Sequence, residues 1–413
     1  MHNKIFNKIL IALSAVGPGL FLIGYNIGTG SVTAMAKAGA EYGMSLFWAL
    51  VLSCIFTYVL MVAYGQLTIV SGKTALNNFR TGLKGGSPLA MIIMIALIVG
   101  ELFALIGVMG IVGDLIQEGI KLFAGGLIIH KGWILLFFVI ILYALLWTGR
   151  YTNFEKVLTV FVILMVACFL LVFFMVKPSF SAILKGLIPG IPHKQGAFGL
   201  IAAMAGTTCS AAVFIVRSTL VAEKGWTISE LKAEKKDSFI SSFMMLFLSG
   251  LIMAVSAGTL NVMGLKLHNT VEMISLFEPI GGKLAALLLI LGITGAGLST
   301  AFPIVLIAPW LLSDYTDRPR NIRSPMFRVL ILAGLIFSFG SLVLVQTAPN
   351  LMIFSQAFQA CILPAVAIPA MILLNRKSLM KENRASLIMN IGLVCVIIFS
   401  FVTTYFAIIE LFN

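Results

Sequence analysis

Long apolar runs of about 20 residues dominate the sequence, and the short links between them hold most of the charged residues. A run of this length spans the hydrocarbon core of a bilayer as an α-helix. Strands of an outer-membrane barrel would alternate apolar and polar residues, and these runs do not. The pattern predicts an all-α polytopic membrane protein with about 11 transmembrane helices, at 9–40, 45–71, 88–112, 133–149, 157–176, 197–221, 238–263, 284–312, 329–346, 350–374 and 386–411.

The composition agrees with this pattern. Of 413 residues, 60% are hydrophobic and 10% are charged, and the mean hydropathy is +1.08. Such a balance is typical of membrane proteins rather than soluble domains. No polar stretch is long enough for a second domain, so we predict a single transmembrane domain over residues 1–413. The longest polar link, 223–237, is expected to form a helix in a cytoplasmic loop.

The positive residues behind the net charge of +13 are distributed unevenly between the two sides of the membrane. With the N-terminus in the cytoplasm, 20 of the 28 lysines and arginines fall on the inside. This asymmetry is the positive-inside rule. It predicts a multi-pass protein of the cell membrane (plasma or inner membrane) with a cytoplasmic N-terminus and an outside C-terminus. The basic charge therefore indicates contact with the lipid bilayer and no nucleic-acid partner.

Residues typical of enzymes and metalloproteins are not grouped in this sequence. The five cysteines all fall within predicted spans, so they indicate neither a disulfide framework nor a zinc site. We find no catalytic triad and no nucleophile–base pair, and we predict a protein that is not an enzyme and uses no cofactor. The 20 methionines are scattered and are expected to fill apolar contacts.

Two predicted spans are interrupted near their centres. The first contains Gly-Thr-Gly-Ser at 28–31, and the sixth contains Ala-Gly-Thr-Thr-Cys-Ser-Ala-Ala-Val at 205–213. Broken helices at corresponding positions of two halves mark the substrate site of transporters built from inverted repeats. Small residues can also serve close helix packing, but packing requires them on one face only. Here they occupy every face, which favours a site.

We therefore predict a substrate site made of backbone groups, hydroxyls and two amide side chains. The candidate residues are Gly28, Thr29, Gly30, Ser31, Thr207, Thr208, Ser210, Asn26 and Gln356. The amide of Gln356 either faces the cavity or caps a helix contact.

Glu101 is the acidic residue that lies deepest in a predicted span, with about ten apolar residues on each side. A charged carboxylate at this depth costs roughly 3 kcal/mol on insertion scales. Intramembrane acids usually mark ion or proton pathways, so Glu101 is predicted to carry protons or to balance a cation. The alternative is a neutral acid that hydrogen-bonds a neighbouring helix.

Several motifs along nearly the whole chain resemble the NRAMP (natural resistance-associated macrophage protein) family of divalent metal transporters. They are GPG at 17–19, AGAEYGMSLFW at 38–48, GRYTNFEK at 149–156, KPSFSAILKGLIPGIP at 177–192 and SQAFQACILPAVAIP at 355–369. The resemblance implies a leucine-transporter-like fold with a 5+5 inverted repeat. The first repeat would cover about 9–176, the second about 197–374, and an extra helix about 386–411. It also implies secondary active transport, with metal ions imported by symport with protons.

The resemblance fails at the family's metal ligands. Where the family has Asp-Pro-Gly-Asn, this chain has Gly-Thr-Gly-Ser at 28–31, and where the family has Met-Pro-His it has Ser-Ala-Ala at 210–212. A later family histidine aligns with Arg217, which is predicted to close an inner gate or to pair with an acid. The family's third-helix Asp aligns with Glu101, and its Gln of the tenth span aligns with Gln356.

Three functions therefore remain open at this stage. The first is a divalent-metal transporter with an altered site, in which transition metals bind poorly and hydrated magnesium is a possible substrate. The second is a proton-coupled transporter of a small polar organic solute. The third is a membrane sensor that transports nothing.

Overall fold

The computed structural model describes residues 22, 24–147, 160, 163, 166–167, 169–192, 196–268, 270–344 and 347–412. The GPG and GRYTNFEK motifs, the start of the first predicted span and much of the span at 157–176 lie outside these residues. Within the described chain every regular element is helical, which agrees with the predicted all-α class. In hydrocarbon only a helix or a closed barrel satisfies all backbone polar groups, so this result is expected of apolar spans.

Fourteen α-helices follow one another in the residues that the structure describes. They are α1 Thr29–Tyr42, α2 Phe47–Ser71, α3 Ala75–Gly82, α4 Gly86–Phe123, α5 Lys131–Trp147, α6 Phe180–Lys185, α7 Ala197–Thr208, α8 Ala211–Lys224, α9 Leu231–Ser256, α10 Thr270–Thr316, α11 Pro325–Phe337, α12 Ala348–Asn375, α13 Lys377–Met380 and α14 Leu387–Phe412.

Eight spans in the described chain are long and apolar enough to cross a membrane, and α7 with α8 forms one of them. Helix α5 is apolar but shorter. Some helices are longer than the predicted spans, because polar residues continue the helix. The span predicted at 88–112, for example, is part of α4, which runs to Phe123.

The polar link predicted as a cytoplasmic loop helix is different in the structure. A capping box at Thr227 and Glu230 starts a 3₁₀ turn, and α9 then begins at Leu231 and continues into the predicted seventh span. The second half of the link, residues 231–237, is therefore the first part of a long helix. Its residues Glu234 and Asp237 are buried.

Helices α4, α7 and α12 surround the centre of the molecule: α4 packs against α10 and α12, and α7 packs against α12. Glycine permits the closest of these contacts. A Cβ on Gly206 of α7 would lie 1.7 Å from the Gln356 carbonyl oxygen of α12, and a Cβ on Gly39 of α1 would lie 2.3 Å from the Met253 carbonyl oxygen of α9. Small residues of this kind let helix backbones approach closely in membranes.

Candidate substrate site at the paired helix breaks

The first break is short and lies at Ile27 and Gly28. Gly24 to Asn26 are helical, and α1 begins at Thr29 with Gly28 as its N-cap. Thr29, Gly30 and Ser31 are therefore the first turn of a half-helix, rather than unwound backbone as the sequence suggested. Their N–H groups have no intrahelical partners and carry the positive end of the helix dipole.

The second break comprises only Cys209 and Ser210, between the end of α7 and the start of α8. It is narrower than the predicted interval 205–213. The carbonyl oxygen of Thr208, at the end of α7, accepts hydrogen bonds from Asn26 Nδ2 at 3.1 Å and Thr57 Oγ1 at 2.8 Å. These two side chains satisfy a backbone group that hydrocarbon would leave without a partner.

A polar cavity of about 20 Å³ lies between the two breaks. This volume holds roughly one water-sized sphere. The cavity is lined by Tyr25, Asn26, Gly28, Gly30, Ser31, Glu101, Ala104, Thr207, Ser210, Thr300, Ile304, Met352 and Gln356. Seven of the nine predicted substrate residues are in this wall; Thr29 and Thr208 are buried outside it.

Glu101 of α4 connects both breaks through one oxygen. Its Oε1 accepts the Tyr25 O–H at 2.5 Å and a Gln359 Nε2 N–H at 2.8 Å. The Ser210 hydroxyl in turn donates to Gln359 Oε1 at 3.3 Å. The sequence predicts proton coupling or charge balance for Glu101 and separates it from the uncharged substrate residues. In the structure its carboxylate lies in the wall of the same cavity as seven of those residues.

Ser31 is a further sign that the cavity receives a polar ligand. Its side chain is 1% exposed, and its Oγ has no hydrogen-bond partner among the described residues. A buried hydroxyl usually has a partner, so an orphan in a cavity wall points to an absent ligand or water.

Five residues of the cavity wall were not predicted: Tyr25, Ala104, Thr300, Ile304 and Met352. Gln359, which hydrogen-bonds Glu101 and Ser210, was not predicted either. Met352 and Gln359 lie four residues before and three residues after Gln356 on α12, and this spacing places all three on one helix face. The sequence therefore held a signal for them. Thr300 carried none, because it is one of many small polar residues in α10.

Arg217 lies outside the cavity, on α8. Its guanidinium is fully buried and pairs with Glu234 Oε1 at 3.0 Å and with Asp237 Oδ2, both on α9. It also donates to Ser238 Oγ at 3.1 Å. Of the two predicted roles, pairing with acids is therefore the arrangement seen in this conformation. The contact requires Gly65 of α2, because a Cβ there would lie 2.1 Å from Glu234 Oε1.

The sequence matches a family model described as "Natural resistance-associated macrophage protein-like" over residues 19–410. The chain belongs to the Nramp family. It is accordingly a membrane transporter and not an enzyme.

The chain is also similar to named transporters, at low sequence identity. The divalent metal cation transporter MntH of Pectobacterium carotovorum subsp. carotovorum is 25% identical over 355 residues, 80% of this chain and 83% of the relative. MntH of Staphylococcus saprophyticus is 24% identical over 445 residues, 100% of this chain and 94% of the relative.

Solved structures show the same fold at lower identity. The manganese transporter of Eremococcus coleocola aligns with a TM-score of 0.74 at 16% identity, over 96% of this chain and 86% of that chain. The nucleobase-cation-symport-1 transporter Mhp1 aligns with a TM-score of 0.63 at 15% identity, over 95% and 92%. The Nramp chain thus has the leucine-transporter-like fold.

Proposed function

We propose that this Nramp chain is a secondary active transporter that moves a divalent metal cation by alternating access. The cation would occupy the cavity between the two breaks. The observation that carries this proposal is the Glu101 carboxylate in the wall of a cavity that holds about one small sphere. The MntH relatives are named for divalent metal cations, which supports the same class of substrate.

The size of the cavity favours an ion over the organic solute that the sequence left open. About 20 Å³ accommodates one water-sized sphere and no molecule with several heavy atoms. In this conformation the same limit applies to a magnesium ion with its full hydration shell. A bound cation would therefore exchange most of its waters for groups in the cavity wall.

The donors in the wall suit such an exchange. Glu101 supplies negative charge, while Ser31, Ser210 and the amides of Asn26 and Gln356 supply neutral oxygens. Carboxylate, hydroxyl and carbonyl oxygens are the ligands of Mg²⁺ and Mn²⁺. The wall also contains the thioether of Met352. This methionine is on α12, whereas the methionine of the family's metal site is on the sixth span. We propose manganese and magnesium as the first cations to test.

Proton coupling is the second part of the proposal, with Glu101 as the coupling residue. Its Oε1 already accepts two hydrogen bonds, so a proton or a cation would meet Oε2. Because Tyr25 adjoins the first break and Gln359 contacts Ser210 of the second, a change at this carboxylate would reach both breaks. We place the transporter in the cell membrane with its N-terminus in the cytoplasm. In this orientation, the cluster of Arg217, Glu234 and Asp237 would close the cytoplasmic side of the substrate pathway.

Uptake into proteoliposomes tests the proposal. We expect saturable uptake of Mn²⁺ or Mg²⁺, lost in Ser210→Trp because the indole fills the cavity. Glu101→Gln is expected to abolish both uptake and the accompanying proton movement, because the site loses its carboxylate. An Ile55→Trp variant, which places an indole on the exposed face of α2, is the matched control and should transport normally. Absence of uptake of every divalent cation by the wild-type protein would refute the proposed function.

A further inference from the structure

A second cavity, of about 260 Å³, lies on the other side of α12 from the substrate cavity. We call it the α12 groove. Its long wall is formed by Ile353, Phe354, Phe358 and Cys361, which follow one another at helical spacing on one face of α12. None of these side chains is fully buried, and Phe354 is 37% exposed. The groove is therefore apolar and open at the side of a membrane-spanning helix.

One end of the groove holds two opposite charges, Lys37 of α1 and Glu410 of α14. The Glu410 carboxylate is held in place because its Oε2 accepts the Gly199 N–H at 3.1 Å. Lys37 makes a loose ion pair with Glu41, with 3.9 Å between Nζ and Oε1. A ligand that fits this end therefore carries an anionic group for Lys37 and a cationic group for Glu410.

The depth of these charges can be calculated from helix geometry. Lys37 lies eight residues beyond Thr29, about 12 Å along α1, and Gly199 lies nine residues before Thr208, about 14 Å along α7. If the breaks lie at the bilayer midplane, both groups are near the edge of the hydrocarbon core, whose half-thickness is about 15 Å.

The apolar wall runs in the opposite direction, back toward the midplane. From Asn350 at the charged end to Cys361 it extends eleven residues, about 16 Å along α12. A polar end at headgroup depth and an apolar wall of this length match one phospholipid, with its headgroup at Lys37 and Glu410 and an acyl chain beside the two phenylalanines.

We propose that the α12 groove binds one phospholipid with a zwitterionic, primary-amine headgroup. The phosphate would pair with Lys37, and the ammonium would donate hydrogen bonds to Glu410. A primary ammonium has N–H donors, and the quaternary ammonium of a choline headgroup has none. Glu410 therefore distinguishes phosphatidylethanolamine from phosphatidylcholine.

This lipid would affect transport because α12 has two functional faces. Met352 and Gln356 line the substrate cavity, whereas Phe354 and Phe358 line the groove. The groove also includes Lys37 of α1, which begins at the first break, and Gly199 of α7, which ends at the second. A lipid in the groove therefore contacts three elements of the substrate site at once.

Native mass spectrometry of the full-length protein, titrated with each lipid in detergent, tests this proposal without any transport assay. We expect one phosphatidylethanolamine to remain bound, about tenfold more tightly than phosphatidylcholine or phosphatidylglycerol. Glu410→Gln should reduce that preference, Lys37→Gln should weaken binding of all three lipids because each has a phosphate, and Ala357→Trp should displace the lipid by filling the groove. Ile55→Trp, on an exposed face outside the groove, should retain it.

Two results would overturn the proposal. One is equal retention of the three lipids by the wild-type protein. The other is undiminished retention by Ala357→Trp and Lys37→Gln together with unchanged headgroup preference in Glu410→Gln. Because the assay measures lipid and not cations, a failure here leaves the proposed transport function untouched.

Discussion

At the scale of single residues, the first break requires a residue without a side chain at position 28. A Cβ at this position would lie 1.6 Å from Thr300 Oγ1 and 2.5 Å from Thr300 Cβ, both on α10. The backbone of the break is therefore in direct contact with α10, and the cavity lies at that contact. The glycine is explained by the close approach of a neighbour rather than by its own dihedral angles, since φ is −102°.

Gly28→Ala is expected to reduce transport by roughly 100-fold, because a displacement of about 1 Å at a site can cost that much. Thr300→Gly removes all three colliding side-chain atoms, Oγ1, Cβ and Cγ2, so the double variant should recover part of the activity. Gly190→Ala is the control, since a Cβ there meets nothing within 4 Å. Initial uptake rates in proteoliposomes measure all four proteins. Full activity in Gly28→Ala would show that this contact does not shape the site.

The sequence indicated most residues of the cavity but could not show that Glu101 is among them. Glu101 meets Tyr25 across 76 positions and Gln359 across 258 positions of the chain. A helix break is indicated by a local run of glycines and hydroxyl residues. Contacts between spans that are distant in sequence depend on packing, which no local pattern shows. Aligning the family's ligands therefore indicated a site without charge, although the charge comes from another helix.

At the scale of elements, the cluster of Arg217, Glu234 and Asp237 joins α8 to α9. All three side chains are at most 5% exposed. The segment that contains the two acids was predicted as part of a cytoplasmic loop, because its composition is polar. Its charges are instead paired inside the protein. The partner is Arg217, which precedes Glu234 by 17 residues and Asp237 by 20 residues.

Removing Arg217 should destabilise the protein strongly. Arg217→Met leaves two buried carboxylates without their arginine, and breaking a buried pair costs about 3–5 kcal/mol. Glu223→Gln, which removes a partly exposed partner of Arg320, should cost about 0–1 kcal/mol. Thermal unfolding in detergent compares the two variants with the wild type. Equal melting temperatures for both variants would contradict the structural role given to the cluster.

At the scale of the whole molecule, the sequence predicted the helical class and the order of the spans well. Hydropathy suffices for this, because the bilayer permits few other structures. The two halves of an inverted repeat, at about 9–176 and 197–374, remain a prediction. So does the orientation in the membrane, which depends on the distribution of lysine and arginine.

Reporter fusions measure the orientation directly. Alkaline phosphatase, which is active only outside the cytoplasm, should be active when fused after residue 413 and inactive when fused to the N-terminus. A fluorescent protein that matures only in the cytoplasm should show the reverse pattern. Phosphatase activity at the N-terminus, or at neither end, would contradict the predicted crossing number or orientation.

The central claim is that the Nramp chain binds a divalent cation at the paired breaks through Glu101. Thermal stabilisation of the purified protein by Mn²⁺ and Mg²⁺ tests it most directly, because a ligand of the native state raises the melting temperature by mass action. We expect concentration-dependent stabilisation of the wild type and of Glu118→Gln, an acid on the same helix that pairs with Lys121. Glu101→Gln and Ser210→Trp should fold but show no stabilisation. Equal stabilisation of Glu101→Gln and the wild type would place the cation elsewhere and contradict the account.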